Sequence, residues 1–179
     1  MISLEVQGLL DRQAITEVLY RYCRGCDRAD EALLRSCFHP GSRHAHGGFR
    51  GSSEDFCGFA LRIIRRALRT KHVLTNVSIE LAGDLASSEA HYSAYHRIVN
   101  RDTGLEEDNF SGGRYLDRLE RREGRWAIVE RVGLIDYETF EAAAERGMAA
   151  LPPRALSRRW PDDELYEWLR TAGPRAGAP

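Results

Sequence analysis

The chain has 179 residues, the size of one domain. Hydrophobic residues make up 42% and charged residues 30%, enough apolar matter for a packed core under a hydrated surface. Lys+Arg (26) and Asp+Glu (27) leave a formal net charge of −1, so no basic field marks a nucleic-acid surface.

No apolar run approaches the ~20 residues of a spanning helix, so no membrane contact is expected. The N-terminus lacks the pattern of a signal peptide, and a cytoplasmic protein is expected.

Residues 9–28 read as an amphipathic helix, with Leu10, Ile15, Val18, Leu19, Tyr22, Cys23 and Cys26 at three- and four-residue steps. Asp11 or a neighbour is the expected cap, and Gly25 a weak point near the end. Asp27 lies in the last turn, where a carboxylate meets the negative end of the helix dipole and needs a partner or a purpose. Asp30 caps a short second helix through about Phe38, stopped by Pro40-Gly41. Residues 43–50 read as an irregular hairpin around Gly47-Gly48, and Ser52 or Ser53 caps a third helix.

After residue 70 the apolar period falls to about two. Strands are expected over 72–81, 86–100, 109–121 and 125–135, with turns at Gly83-Asp84, Asp102-Thr103-Gly104 and Glu123-Gly124. Residues 137–149 read as a helix, Pro152-Pro153 as a linker, and Asp162 or Asp163 as the cap of a helix ending near Arg170. The tail from Thr171 reads as disordered. The division expected is a domain over 1–150 and an extension over 151–179. Helices first and strands after indicate α+β, with helices on one face of a curved antiparallel or mixed sheet.

Alternation along the strands puts His72, Leu74 and Asn76 on one face, with Val73, Thr75, Val77 and Ile79 on the other. Tyr92, Ala94, His96 and Ile98 share a face, as do Ala127, Val129, Arg131 and Gly133. His72 opens its strand pattern and is a candidate general base, since imidazole titrates near physiological pH; Asp27 would orient it. His44-x-His46 suggests a metal, but lacks a third ligand at a telling offset, so the pair is read as part of a polar pocket wall or of a loop, and no metal or cofactor is expected. Cys23, Cys26, Cys37 and Cys57 are read as buried free thiols. Neither a nucleophile elbow nor a dinucleotide fingerprint is present.

Three pieces in order carry a resemblance: Tyr22-x4-Asp27, then Thr70-x-His72-x-x-Thr75-Asn76, then Gly112-Gly113-x-Tyr115 leading to Arg121-Arg122-x-Gly124-x-Trp126. They resemble the SnoaL-like group of the nuclear-transport-factor-2-like superfamily. The similar members are scytalone dehydratase, bile-acid 7α-dehydratase and hexachlorocyclohexane dehydrochlorinase. The resemblance covers roughly residues 8–138. It implies a cone-shaped α+β barrel roofed by N-terminal helices, and a cofactor-independent lyase acting on a small cyclic or polyketide- or steroid-like molecule. Residue by residue it implies Asp27 and His72 as the catalytic pair. It also implies Tyr22 and His96 as further catalytic groups and Arg131 as a pocket arginine able to bind an anion or to pair with Asp27 or Glu130. Gly113 and Tyr115 stand where scytalone dehydratase holds its substrate with Ser and Asn, and His44–His46 where it has a tyrosine. Asn76, Tyr115, His44 and His46 are thus the remaining substrate-binding candidates.

The alternatives are an isomerase or cyclase on the same cone, or a non-catalytic scaffold resembling the small subunit of ring-hydroxylating dioxygenases. The resemblance implies a homotrimer, with a dimer as alternative. The supposed outer face of Val73, Val77 and Ile79 supplies an apolar contact surface for it.

Overall fold

The computed structural model describes residues 3–144 and 150–171. Helix α1 (Leu4–Arg28) starts earlier than expected because Ser3, not Asp11, caps it, accepting the Val6 amide. Asp11 lies inside the helix and is buried, where it accepts Trp126 Nε1 at 2.9 Å and Arg121 Nη1 at 2.8 Å. The helix ends at Ala29, left-handed at φ 51°, and the Asp30 amide returns to the Gly25 carbonyl at 2.9 Å. Gly25 does not weaken this end: a Cβ there would lie 2.8 Å from Leu34 N, so the missing side chain lets α2 (Glu31–Arg35) cross closely.

Asp30 caps α2 through the Leu33 amide, as expected. The helix does not reach Phe38, because the sheet captures the chain first: Ile128 N donates to the Cys37 carbonyl, and β1 (Phe38–His46) begins there. Pro40-Gly41 falls in the irregularity between the two paired stretches of β1. A turn at Gly47 leads into β2 (Phe49–Ser52). Ser52 then caps α3 (Ser53–Arg66), accepting the Asp55 amide. Acidic groups in the first turn of α3 and basic ones in the last match its dipole.

Four long strands follow: β3 (Arg69–Ala82), β4 (Leu85–Val99), β5 (Glu106–Arg122) and β6 (Arg125–Ala142). They form an antiparallel meander, and β6 also pairs in parallel with β1. The sheet order is β2-β1-β6-β5-β4-β3, an open sheet in which β3 and β2 do not meet. This is the expected α+β cone, unclosed. Helix α1 packs on β3 and β6, and α3 on β1 and β2. The core between them includes Ile15, Val18, Leu61, Ile64, Leu119 and Ile128.

The expected helix over 137–149 is corrected for its first part. Residues 137–142 continue β6, because the ladder with β5 runs on to Ala142 opposite Glu107. The helix-like spacing of Tyr137 and Phe140 is overridden by backbone pairing. Residues 145–149 of that expectation, and the tail after Thr171, lie outside the described residues. A short turn (Pro153–Ala155) and α4 (Glu164–Thr171) complete the chain. Their segment lies along the end of α1: Trp160 N donates to the Arg28 carbonyl at 2.8 Å, and Arg28 Nε pairs with Asp163 at 2.9 Å.

Two bulges correct the strand faces. In β3 the pairing shifts between Thr75 and Ser78, and Asn76 sits there at φ 50°. Beyond it the alternation reverses. His72 and Leu74 face inward, but so do Val77, Ile79 and Leu81, which pack on the core. Of the supposed outer trio only Val73 is exposed, which removes that support for a trimer. In β6, Val129 is the extra residue against Arg118–Leu119. Trp126 and Ile128, not Val129, therefore join the core on the side of Arg131.

Candidate active site

Asp27 ends α1 close to β3, and His72 meets it there. Oδ1 of Asp27 accepts from His72 Nδ1 at 2.7 Å, while Oδ2 accepts from the His72 backbone amide at 2.9 Å. One carboxylate thus fixes both the ring and the strand that carries it. A carboxylate only accepts, so Nδ1 carries a proton, and in the neutral ring this leaves the lone pair on Nε2. Both side chains are largely buried, 12% and 10% exposed. Thr70, two residues before His72, donates to the Asp27 carbonyl at 3.2 Å and further pins the helix end.

His96 pairs with Thr70 on the neighbouring strand, and its ring stands edge-on to His72 with centroids 5.3 Å apart. Burial, then the nearby His72, pushes His96 down to about 4, against Asp27 and a hydrogen bond with Asn109 that raise it. At neutral pH it is a neutral donor or acceptor. Asn109 was not among the expected site residues. It lies opposite His96 on β5 and also donates to Glu138.

Deeper in the cone is a second cluster. Arg131 and Asp117 are both 0% exposed and form a side-on pair, Nε–Oδ1 2.6 Å and Nη2–Oδ2 2.7 Å. The guanidinium lies 4.0 Å from the Tyr22 ring and 4.4 Å from the Tyr115 ring. Burial pulls down its hold on the proton, but Asp117 outweighs this and leaves it raised. Arg131 therefore pairs with neither Asp27 nor Glu130; Glu130 stands 3.4 Å from Arg118 instead. Asp117 was missed because an unbulged hairpin at Glu123-Gly124 would set Leu116, not Asp117, opposite Arg131. The extra Val129 makes the pair.

His44, beside Arg131 on β1, is stacked on Phe56 with centroids 3.4 Å apart, and neither of its ring nitrogens has a partner among the described residues. Burial, then Arg131, takes His44 down to about 2 and His46 to about 4. Tyr115 stacks on Tyr92 at 4.4 Å, and His46 lies 5.7 Å from Tyr115. Burial raises the hydroxyls of Tyr22 and Tyr115 well above 10, so both stay protonated.

The structure thus brings Asp27, His72 and His96 together at one level of the cone, and Tyr22, Tyr115, His44, His46 and Arg131 at another. Asn76 joins neither, because the bulge leaves it exposed. The four cysteines are free and buried, and burial raises Cys23 to about 12. Among the described residues no group of three His, Cys, Asp or Glu side chains is placed to hold a metal.

A cavity of about 920 Å³ is lined by Ile63, Ala67, Ile98, Glu107 and Phe140, among others. Ile98 lies on the inner face of β4 two residues beyond His96, and Phe140 lies opposite Asn109. The cavity is thus a neighbour of that level, but Asp27, His72 and His96 are not among the residues that line it. A smaller groove of about 460 Å³, bordered by Ser78, Glu80, Arg118 and Glu130, gathers none of the site groups except Asp117.

Among the described residues no helix is long and apolar enough to cross a membrane. Many solved structures are similar in fold, among them the following two. A candidate scytalone dehydratase from Novosphingobium aromaticivorans DSM 12444 is 19% identical, with a TM-score of 0.67 over 80% of this chain and 94% of that one. The hexachlorocyclohexane dehydrochlorinase LinA-type3 from Novosphingobium barchaimii LL02 is 18% identical, with a TM-score of 0.70 over 83% of this chain and 99% of that one. No curated protein gives a significant match. The SnoaL-like domain matches residues 7–132, most of the chain, including the positions of Asp27, His72 and His96. The chain belongs to the SnoaL-like domain family, with the nuclear-transport-factor-2-like α+β fold.

Proposed function

We propose that the protein is a cofactor-independent lyase of the dehydratase type, with Asp27 and His72 as its base. The observation that carries this reading is the two-point hold of Asp27 on His72, through Nδ1 and through the backbone amide. Such a hold fixes the tautomer and steadies an imidazolium. The names of the two similar structures, a dehydratase and a dehydrochlorinase, favour elimination chemistry on this fold.

In the proposed reaction His72 Nε2 takes a proton from the carbon next to a carbonyl. The C–H electron pair becomes the new C=C bond, and the bond to a β-hydroxyl breaks. Hydroxide leaves as water with the proton that His72 has gained, which restores the neutral ring. His96, neutral at working pH, donates an N–H to the carbonyl oxygen as it gains negative charge. The packed deep cluster leaves a small cyclic or polyketide-like molecule to reach His72 and His96 from the side of the neighbouring cavity. Tyr22 and Arg131 then act as the floor of the site. The family resemblance supports a homotrimer in solution, which light scattering would measure.

The test is product analysis with a panel of cyclic β-hydroxy ketones. The expected product has lost one water, and His72→Gln abolishes its formation. A product of unchanged mass would move the protein to isomerase or cyclase chemistry. Full turnover in His72→Gln would end the proposal.

A further inference from the structure

The C-terminal segment brings a guanidinium to this site that the elimination chemistry does not use. Trp160 N is bonded to the carbonyl of Arg28, the residue after Asp27, and Arg28 is itself tied to Asp163. These contacts anchor the segment. Arg159, one residue earlier, is half-buried, and its Nη2 donates to the Ala67 carbonyl at 2.7 Å. Ala67 joins α3 to β3 and lines the large cavity. The charge of Arg159 is felt by Asp27 and by His96.

A guanidinium has five N–H donors. Among the described residues Arg159 makes one hydrogen bond, to a neutral carbonyl, and no ion pair. Partial burial already disfavours its charged form. A desolvated cation in this state gains most from an anion that can take two donors at once. Asp27 lies near enough to favour the charge of Arg159, but its oxygens accept from the ring and the amide of His72 and it forms neither a hydrogen bond nor an ion pair with Arg159 among the described residues. Structural anchoring does not require a charge here either, since the Trp160 and Asp163 contacts already hold the segment.

We propose that Arg159, held by the Ala67 carbonyl beside the Asp27–His72 pair, receives a carboxylate of the substrate, so that the enzyme acts on a carboxylate-bearing molecule. The assignment rests on the lyase reading and adds the charge of its substrate. The cavity lined by Ile63, Ile98 and Phe140, which meets Arg159 through Ala67, supplies apolar walls for the carbon skeleton. The same positive charge offsets the negative charge that develops on the substrate as His72 removes its proton.

Benzoate and benzamide, equal in shape and different in charge, are the probes. Each is titrated into the full-length protein and followed by the imidazole resonances of His96. The expected result is about tenfold tighter binding of benzoate, the size of one charge-assisted pair. The preference falls to about one in Arg159→Gln, which retains a donor for Ala67, and survives in Arg159→Lys. It also survives in His72→Gln, which removes the base but not the anchor. Equal binding of the two probes by the wild-type protein overturns the assignment, whatever the variants do. So does a preference unchanged in Arg159→Gln. A benzoate preference in a protein that eliminates nothing would leave the anchor standing and remove the lyase.

Discussion

Asp27 answers two donors with two oxygens, which makes its charge hard to replace. In Asp27→Asn one acceptor becomes an NH₂ group facing either the His72 ring or its amide. Turnover of the proposed elimination is expected to fall on the order of 10³-fold, as when a carboxylate no longer sets the tautomer of its histidine. Urea unfolding of the same variant should show a loss of about 1–3 kcal/mol from the unmatched buried donor. A turnover loss without a stability loss would mean that the amide contact is dispensable. The deep pair behaves differently, because Arg131 and Asp117 are fully enclosed. Asp117→Asn leaves a buried guanidinium uncompensated and should cost about 3–5 kcal/mol in urea unfolding. Replacing both residues with Asp117→Leu and Arg131→Met should cost clearly less than the single change. Equal costs would show that the ion pair matters little.

At the scale of elements the bulges decide which side chains meet. The extra Val129 in β6 carries Asp117 to Arg131, and the irregularity at Asn76 turns Val77 and Ile79 into the core. A third register shift lies between Gly112 and Gly113, where β5 passes β6 so closely that a Cβ on Gly113 would stand 2.0 Å from the Leu134 carbonyl oxygen. Backbone, not a flexible side chain, fills that space, so Gly113→Ala must displace β6. A melting or urea measurement should show a loss of about 1–3 kcal/mol. A neutral result would mean that the strands separate more easily than their pairing implies. Most element positions were legible beforehand. The Asp30 and Ser52 caps, the Gly47, Gly83 and Glu123-Gly124 turns and the meander follow from local chemistry written in the chain. The end of β6 was not, because Tyr137 and Phe140 fit a helix until β5 offers them a ladder.

Over the whole molecule, the buried histidines make stability depend on pH. His46 and His96 titrate at about 4 and His44 at about 2 in the folded chain, against 6.5 for the free group. Below 6.5 the unfolded chain takes up protons that the folded chain refuses, so stability is full above 6.5 and falls as the pH drops. Each histidine contributes a slope of at most ~1.4 kcal/mol per pH unit. The loss from His46 and His96 ends near pH 4, while that from His44 continues to lower pH. Urea midpoints between pH 7 and 4 should fall steadily, and His44→Phe, which keeps the stack on Phe56, should flatten the curve. A midpoint independent of pH over this range would show that these rings are hydrated in the folded protein.

The sequence by itself determined the α+β class, most of the order of helices and strands, and Asp27 as a helix-end carboxylate in need of a partner; that its partner is His72 came from the family resemblance. The class, the order and that need follow from short-range rules: apolar period, caps, turns and a carboxylate at a helix end that calls for a partner. The tertiary structure decided which faces of β3 and β6 look inward, that Arg131 belongs to Asp117, that Asn76 is exposed, and that Arg159 meets the Ala67 carbonyl. A bulge shifts every later side chain by one place, and a contact between residues far apart depends on the sum of such shifts. Neither is written in any local stretch of the chain.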